Sequence, residues 1–207
     1  MTNPWLTIPL ADYEGHMASA QVQQSGALAD LFAEAIELCH PASVAVLGVA
    51  GGNGLDRIDS EMMARVVAVD INPLYLEAVR QRYAHLNGLE LHCVDLAQEG
   101  LHLPPVELVH AALIFEHAGT GRCLENALRL VAEDGALSVV LQLPTEAGQN
   151  AGKGGFAATH GLQSIFILVD PKQLCASLKE RTFELIHERR RSLPEGKAFW
   201  MGVFVRG

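Results

Sequence analysis

The chain has 207 residues, of which 49% are hydrophobic and 19% charged, and its formal net charge is −9. This length and hydrophobic content suit one folded domain and exclude a disordered chain. The acidic balance speaks against a nucleic-acid partner, which calls for a basic face.

Four scattered cysteines (Cys39, Cys93, Cys123, Cys175) form no C-x-x-C pair, and the nine histidines show no ligand spacing. Neither a disulfide framework nor a metal site is expected. The first residues lack the basic start and apolar core of a signal peptide, and no run approaches the ~20 apolar residues of a membrane helix. A cytoplasmic protein without a membrane segment is the expectation.

Residues 1–26 read as an N-terminal arm or lid with little regular pattern, in which Trp5, Tyr13, Glu14, His16 and Met17 lie close together. Residues 27–39 predict an amphipathic helix, with Leu28, Leu31, Phe32, Ala35 and Cys39 on one stripe and Pro41 ending it. A short apolar strand, Val44 to Leu47, then enters a turn holding Gly48, Gly51, Gly52 and Gly54. Leu55, Ile58 and Met62 have helical spacing, and a second apolar strand, Val66 to Val69, ends on Asp70. Strands apolar throughout fit a parallel sheet buried on both faces.

Glycines let the backbone approach a ligand closely, and a carboxylate at the end of the second strand can take both hydroxyls of a ribose. The stretch therefore reads as the cradle of an adenosine-containing cofactor. The nicotinamide fingerprint fits poorly: in the nearest register, Gly52-Asn53-Gly54-Leu55-Asp56-Arg57, the third small residue is Arg57.

Further along, Asn72 can cap a helix with Pro73 in its first turn and Leu76, Val79, Tyr83 and Leu86 on its buried face. A third strand, Leu89 to Val94, reaches Asp95-Leu96, and a fourth, Glu107 to Leu113, leads into Ile114-Phe115-Glu116-His117. His110, in mid-strand, reads as a core histidine with its polar needs met. Leu124, Ala127, Leu128 and Val131 predict a helix broken by Glu133-Asp134-Gly135, with Gly135 at its end, before a fifth strand, Ala136 to Leu143.

Residues 144–161 form a long glycine-rich connection of the kind that shapes a binding pocket, with Phe156 and His160 as candidate contacts. Gly152-Lys153-Gly154 lacks the Ser or Thr of a phosphate loop. A helix from Asp170-Pro171 follows, then two strands, Phe183 to Glu188 and Ala198 to Val205, around a Pro194-Glu195-Gly196 turn. The basic run Arg189-Arg190-Arg191 reads as a solvated edge.

The turn Gly48-Val49-Ala50-Gly51-Gly52-Asn53-Gly54 resembles motif I of the class I S-adenosylmethionine-dependent methyltransferases, an acid-x-Gly-x-Gly-x-Gly sequence. Two positions depart from it: the acid is Gly48 and the first glycine is Ala50. The stretch LVAEDGALSVVLQLP (residues 130–144), which runs through the fifth strand, also resembles that family.

The resemblance implies a single α/β domain over 1–207. Its core, 27–207, would be a Rossmann-like seven-stranded, mostly parallel sheet with helices on both faces and an antiparallel last strand. It implies S-adenosylmethionine as cofactor, S-adenosylhomocysteine as product, and a small-molecule acceptor. Gly48, Ala50, Gly52, Asp70, Ile71, Asn72, Asp95, Leu96 and Phe115 would line the cofactor. His117 would face the methyl group, either as a base or as a simple contact. Tyr13 and His16 on the arm are candidates for the acceptor pocket or anchors of the arm. Two other readings stay open: a non-catalytic protein that binds S-adenosylmethionine, and a nicotinamide-dependent oxidoreductase.

Overall fold

The computed structural model describes residues 3–144 and 166–207. In chain order, a 3-10 turn (Pro4–Leu6) leads to α1 (Leu10–Ala18), α2 (Gln24–Cys39), β1 (Ser43–Leu47), β2 (Arg65–Asp70), α3 (Pro73–Arg82) and β3 (Leu89–Cys93). Then come β4 (Val106–Ala112), α4 (Phe115–Ala118), α5 (Arg122–Leu130), β5 (Val131–Leu143), α6 (Pro171–Lys179), β6 (Phe183–Ser192) and β7 (Ala198–Arg206). The seven strands form one sheet in the order β3-β2-β1-β4-β5-β7-β6. β1 to β5 pair in parallel, and β7 runs antiparallel between β5 and β6. This is the Rossmann-like architecture expected from the sequence. No described helix is long and apolar enough to cross a membrane.

The strand pattern explains the two layers. Successive side chains of a strand point to opposite faces. Val44 and Val46 of β1, with Val66 and Ala68 of β2, join the core under α2 and α3, where Leu31, Phe32 and Val79 lie. Ala45 and Leu47, with Val67 and Val69, join the core under α5 and α6, where Leu124, Leu130, Leu174 and Leu178 lie. Because both faces are covered, these strands carry no polar alternation. Truncating a side chain as buried as Phe32 to Ala costs about 3–5 kcal/mol in such a core.

Three local expectations are corrected. Residues 10–18 are helical. The apolar period is weak there because α1 holds Gly15 and buries only Met17. Its arm is held from outside instead: Asn72 Nδ2 donates to the Trp5 carbonyl at 2.8 Å, and the Tyr75 hydroxyl donates to the Ile8 carbonyl at 2.9 Å.

Second, Leu55, Ile58 and Met62 do not share a helix. Only Leu55–Arg57 makes a 3-10 turn. The Asp59 carboxylate then accepts the Glu61 N–H at 2.9 Å and turns the chain, which buries Met63 and leaves Met62 73% exposed.

Third, Gly135 does not cap a helix. α5 stops at Leu130 and the chain passes straight into β5. Val106 pairs with Val131 while Leu108 pairs with Ala136, so residues 132–135 bulge outward. A Cβ at Gly135 would stand 2.9 Å from the Glu107 carbonyl, so the close backbone contact requires glycine there.

β6 is an edge strand and is longer than expected, running on through Arg189, Arg190 and Arg191 to Ser192. His187 lies 2.8 Å and Arg189 3.0 Å from the Glu34 carboxylate of α2, and Arg191 3.2 Å from Asp30. His110 is buried with Nδ1 3.1 Å from the Ser138 hydroxyl, and burial lowers its pKa to about 3.

Candidate active site

The C-terminal ends of β1, β2, β4 and β5 and the chain leaving β3 open onto one cavity of about 190 Å3, roofed by the N-terminal arm. In open α/β sheets this is the ligand-facing edge. After β1 the chain turns sharply: the Gly48 and Val49 N–H groups both donate to the Val69 carbonyl, at 2.8 and 3.0 Å. Gly48 has φ +71° and Ala50 has φ +47°. An alanine in this left-handed region costs about 1 kcal/mol relative to glycine.

Asp70 offsets that strain. One carboxylate oxygen accepts the Ala50 N–H at 2.8 Å and the other the Asn72 N–H at 2.9 Å. Burial raises its pKa, and these backbone hydrogen bonds oppose the rise. The Ile71 backbone also favours the carboxylate, yet two oxygens have about four acceptor sites, and Asp70 lines the cavity, so it can still accept a hydroxyl.

Gly48, Ala50, Asp70, Ile71, Asp95 and Leu96 share this cavity with Tyr13, His16 and His117. Asp95 also accepts the Ala97 N–H at 3.0 Å, so it shapes its own turn as well as the cavity wall.

Gly52, Asn72 and Phe115 do not reach the wall. A Cβ on Gly52 would stand 2.3 Å from the Tyr83 ring, on the far side of the turn. Asn72 is used up within the chain: its carbonyl caps α3 by accepting the Leu74 N–H at 2.9 Å, and its amide holds Trp5. Phe115 is buried in the core under α5 and α6. Phe156 and His160 lie outside the described residues.

His117 stands on α4 with its ring 5.0 Å from Trp5 and 5.3 Å from Phe166. Its Nδ1 is buried with no hydrogen-bond partner among the described residues, and burial lowers its pKa to about 4. The imidazole is therefore neutral at pH 7, an acceptor of a hydrogen bond more than a strong base. Its neighbour Glu116 is buried, with one carboxylate oxygen accepting the Gln142 N–H at 2.8 Å and the other without a partner among the described residues. Burial raises the Glu116 pKa to about 7, against the pull of its hydrogen bonds.

On the arm, the Tyr13 ring meets Trp5 edge-on at 5.3 Å. Burial, then the charge of Asp70, raises the Tyr13 pKa, so its hydroxyl stays protonated. The His16 pKa is lowered by burial and then by the charge of Lys197. The arm is tied down beside the glycine turn: Arg82 pairs with Glu14 and donates to the Gly51 carbonyl at 3.0 Å.

The sequence reading did not pick out Trp5, Leu113, Gln142, Phe166 and Lys197 as site residues, though all line the cavity. Leu113 is held at φ +56°, a strained conformation that no sequence pattern marks. Lys197 could have been found from chain direction, since a strand antiparallel to β5 must begin where β5 ends.

No protein-family model and no curated protein matches the chain. Solved structures do. Magnesium protoporphyrin IX methyltransferase from Synechocystis PCC 6803 with bound S-adenosylmethionine superposes with TM-score 0.71 at 12% identity, over 100% of this chain and 98% of that one. The N-methyltransferase NodS from Bradyrhizobium japonicum WM9 with S-adenosyl-L-homocysteine gives TM-score 0.66 at 10% identity, over 98% of both chains. The [4+2]-cyclase SpnF gives TM-score 0.67 at 14% identity, over 91% of this chain and 84% of that one. The chain thus has the Rossmann-like methyltransferase fold. That fold is shared by a protein named for another reaction, so activity has to be argued from the site.

Proposed function

We propose that this protein transfers a methyl group from S-adenosylmethionine to a small-molecule acceptor. The observation that carries the reading is the convergence, in one cavity, of the left-handed turn at Gly48 and Ala50, the buried Asp70 carboxylate and the His117 ring. Asp70 would accept the ribose hydroxyls and Asp95 the adenine amino group, with Ile71 and Leu96 against the base. When bound, the cofactor supplies a methyl carbon on a sulfonium sulfur; the acceptor's lone pair forms the new bond while the C–S electron pair stays on sulfur. Positioning provides much of the acceleration in such an in-line displacement.

The chain's part is to hold the acceptor and to keep water away. His117 Nδ1, buried and without a partner among the described residues, accepts the hydrogen bond of an acceptor O–H or N–H and orients its lone pair. The arm, clasped through Arg82 and Asn72, forms part of the cavity wall through Trp5, Tyr13 and His16.

Calorimetric titration with S-adenosylhomocysteine, with NAD in parallel, tests the reading. One-to-one micromolar binding of S-adenosylhomocysteine alone is expected. Its absence removes the methyltransferase reading, and binding of NAD in its place puts an oxidoreductase first.

A further inference from the structure

We propose that the methyl acceptor is a small aromatic acid, its anionic group held by Lys197 and its ring laid among Trp5, His117 and Phe166. This rests on the methyltransferase reading above and adds the class of acceptor.

Lys197 is placed by a tight turn. Its N–H donates to the Pro194 carbonyl at 3.2 Å and its carbonyl accepts the Leu193 N–H at 2.8 Å. Glu195 and Gly196 take positive φ to make that turn. β7 starts at the next residue and runs antiparallel to β5, so Lys197 emerges at the ligand-facing edge of the sheet.

Its side chain is only 14% exposed, and the carboxylate beside it, Glu195, is 3.8 Å away and 61% exposed. A pair that loose and wet contributes little. A covered ammonium has three N–H donors to satisfy and seldom stays buried without good acceptors. Among the described residues lining the cavity, Lys197 is the one lysine or arginine.

Its position in the sheet separates it from the cofactor. Asp70 ends β2, and β7 lies four strand spacings away, roughly 19 Å at ~4.8 Å per strand. The glycine turn after β1 falls between them. The cavity is thus acidic at the β2 and β3 end, through Asp70 and Asp95, and cationic at the β7 end. Near Lys197 the wall also carries His16, whose proton affinity is lowered by burial and by the lysine's charge.

Between the two ends stand flat, neutral rings. Trp5 and His117 meet at an interplanar angle of 89°, and His117 and Phe166 at 64°. A planar ligand ring extends such an edge-to-face array. His117 Nδ1, without a hydrogen-bond partner among the described residues, lies in the same wall, where it can receive the acceptor's O–H or N–H.

The test uses the full chain saturated with S-adenosylhomocysteine and titrated with salicylate, 3,4-dihydroxybenzoate and indole-3-acetate, each beside its own primary amide. At least one acid should bind about tenfold or more tightly than its amide, the scale of one charge-assisted hydrogen bond. Lys197→Met and Lys197→Gln should erase that preference while S-adenosylhomocysteine affinity stays within about twofold. The proposal is overturned if no acid exceeds its amide in the unaltered protein, or if the preference survives in a folded Lys197 variant. Failure of S-adenosylhomocysteine itself to bind is a different result: it removes the cofactor reading on which the proposal rests.

Discussion

Replacing Asp70 with Ala should uncouple two things that one carboxylate does. Its oxygens accept the buried N–H groups of Ala50 and Asn72 at 2.8 and 2.9 Å. Leaving such donors unmet costs ~1–3 kcal/mol each, and relief of the buried charge offsets part of this. A net loss of about 2–4 kcal/mol is expected, which in a chain of this size lowers Tm by on the order of 5–15 °C. Affinity for S-adenosylhomocysteine should fall roughly 10–150-fold, the loss of one charge-assisted hydrogen-bonding group.

Adding Ala50→Gly separates the two effects. Glycine relieves the left-handed strain at φ +47° and should restore about 1 kcal/mol of stability without restoring affinity. The pH dependence supplies a third readout. The Asp70 pKa is raised in the folded state, so its share of stability is present below the ordinary carboxylate range and is lost as pH rises through its own higher pKa. Asp70→Ala should remove that slope. Urea melts and calorimetric titration make the measurements. A folded Asp70→Ala protein with Tm within about 2 °C of the original and undiminished affinity would refute the assignment of both roles.

Glu116→Gln should stabilise the protein above neutrality and do little at pH 4. The folded pKa of Glu116 is about 7 against an ordinary 4.5, so its stabilising share is complete below 4.5 and disappears as pH rises through 7. The amplitude is on the order of 3 kcal/mol, and urea melts from pH 4 to 9 that keep their original slope in the variant would count against the buried-acid account. Once an acceptor is found, His117→Ala should reduce kcat roughly tenfold with cofactor affinity within about twofold, as expected for an orienting group weaker than a full general base. Because His117 titrates near 4, it should leave no inflection in kcat between pH 6 and 8. An inflection near 6.5 that vanishes in His117→Ala would show a histidine titrating normally.

The sheet could be read from the sequence because its strands are buried on both faces and carry unbroken apolar runs, as Val44 to Leu47 and Val66 to Val69 do. The ligand-facing edge followed from the same runs, since Asp70 ends a strand and Gly48, Ala50 and Asp95 lie within three residues after one. What escaped was held by contacts distant in sequence. α1 has a feeble apolar stripe and depends on Asn72 and Tyr75. Gly52, Asn72 and Phe115 were placed on the cofactor wall by their match to family positions, and none of the three lines the cavity. A motif position does not say which way the residue faces: Gly52 packs against the Tyr83 ring, and Phe115 turns into the core. Lys197 and Phe166 reach the cavity only through β7 and the chain before α6, more than 90 residues from Asp70 in sequence.

The ladder of His187, Arg189 and Arg191 against Glu34 and Asp30 bears on how this protein behaves in concentrated solution. β6 is a ten-residue edge strand with Leu185 and Ile186 exposed, a template for adding strands from other copies. The arginines after those two residues act as gatekeepers, because a second copy pairing along this edge would bring its own positive run against them. Their anchorage to α2 keeps that barrier fixed in place. Salt shortens the reach of such repulsion. Colloidal stability should therefore be better in dilute buffer than in concentrated salt, with the first aggregates forming along this edge.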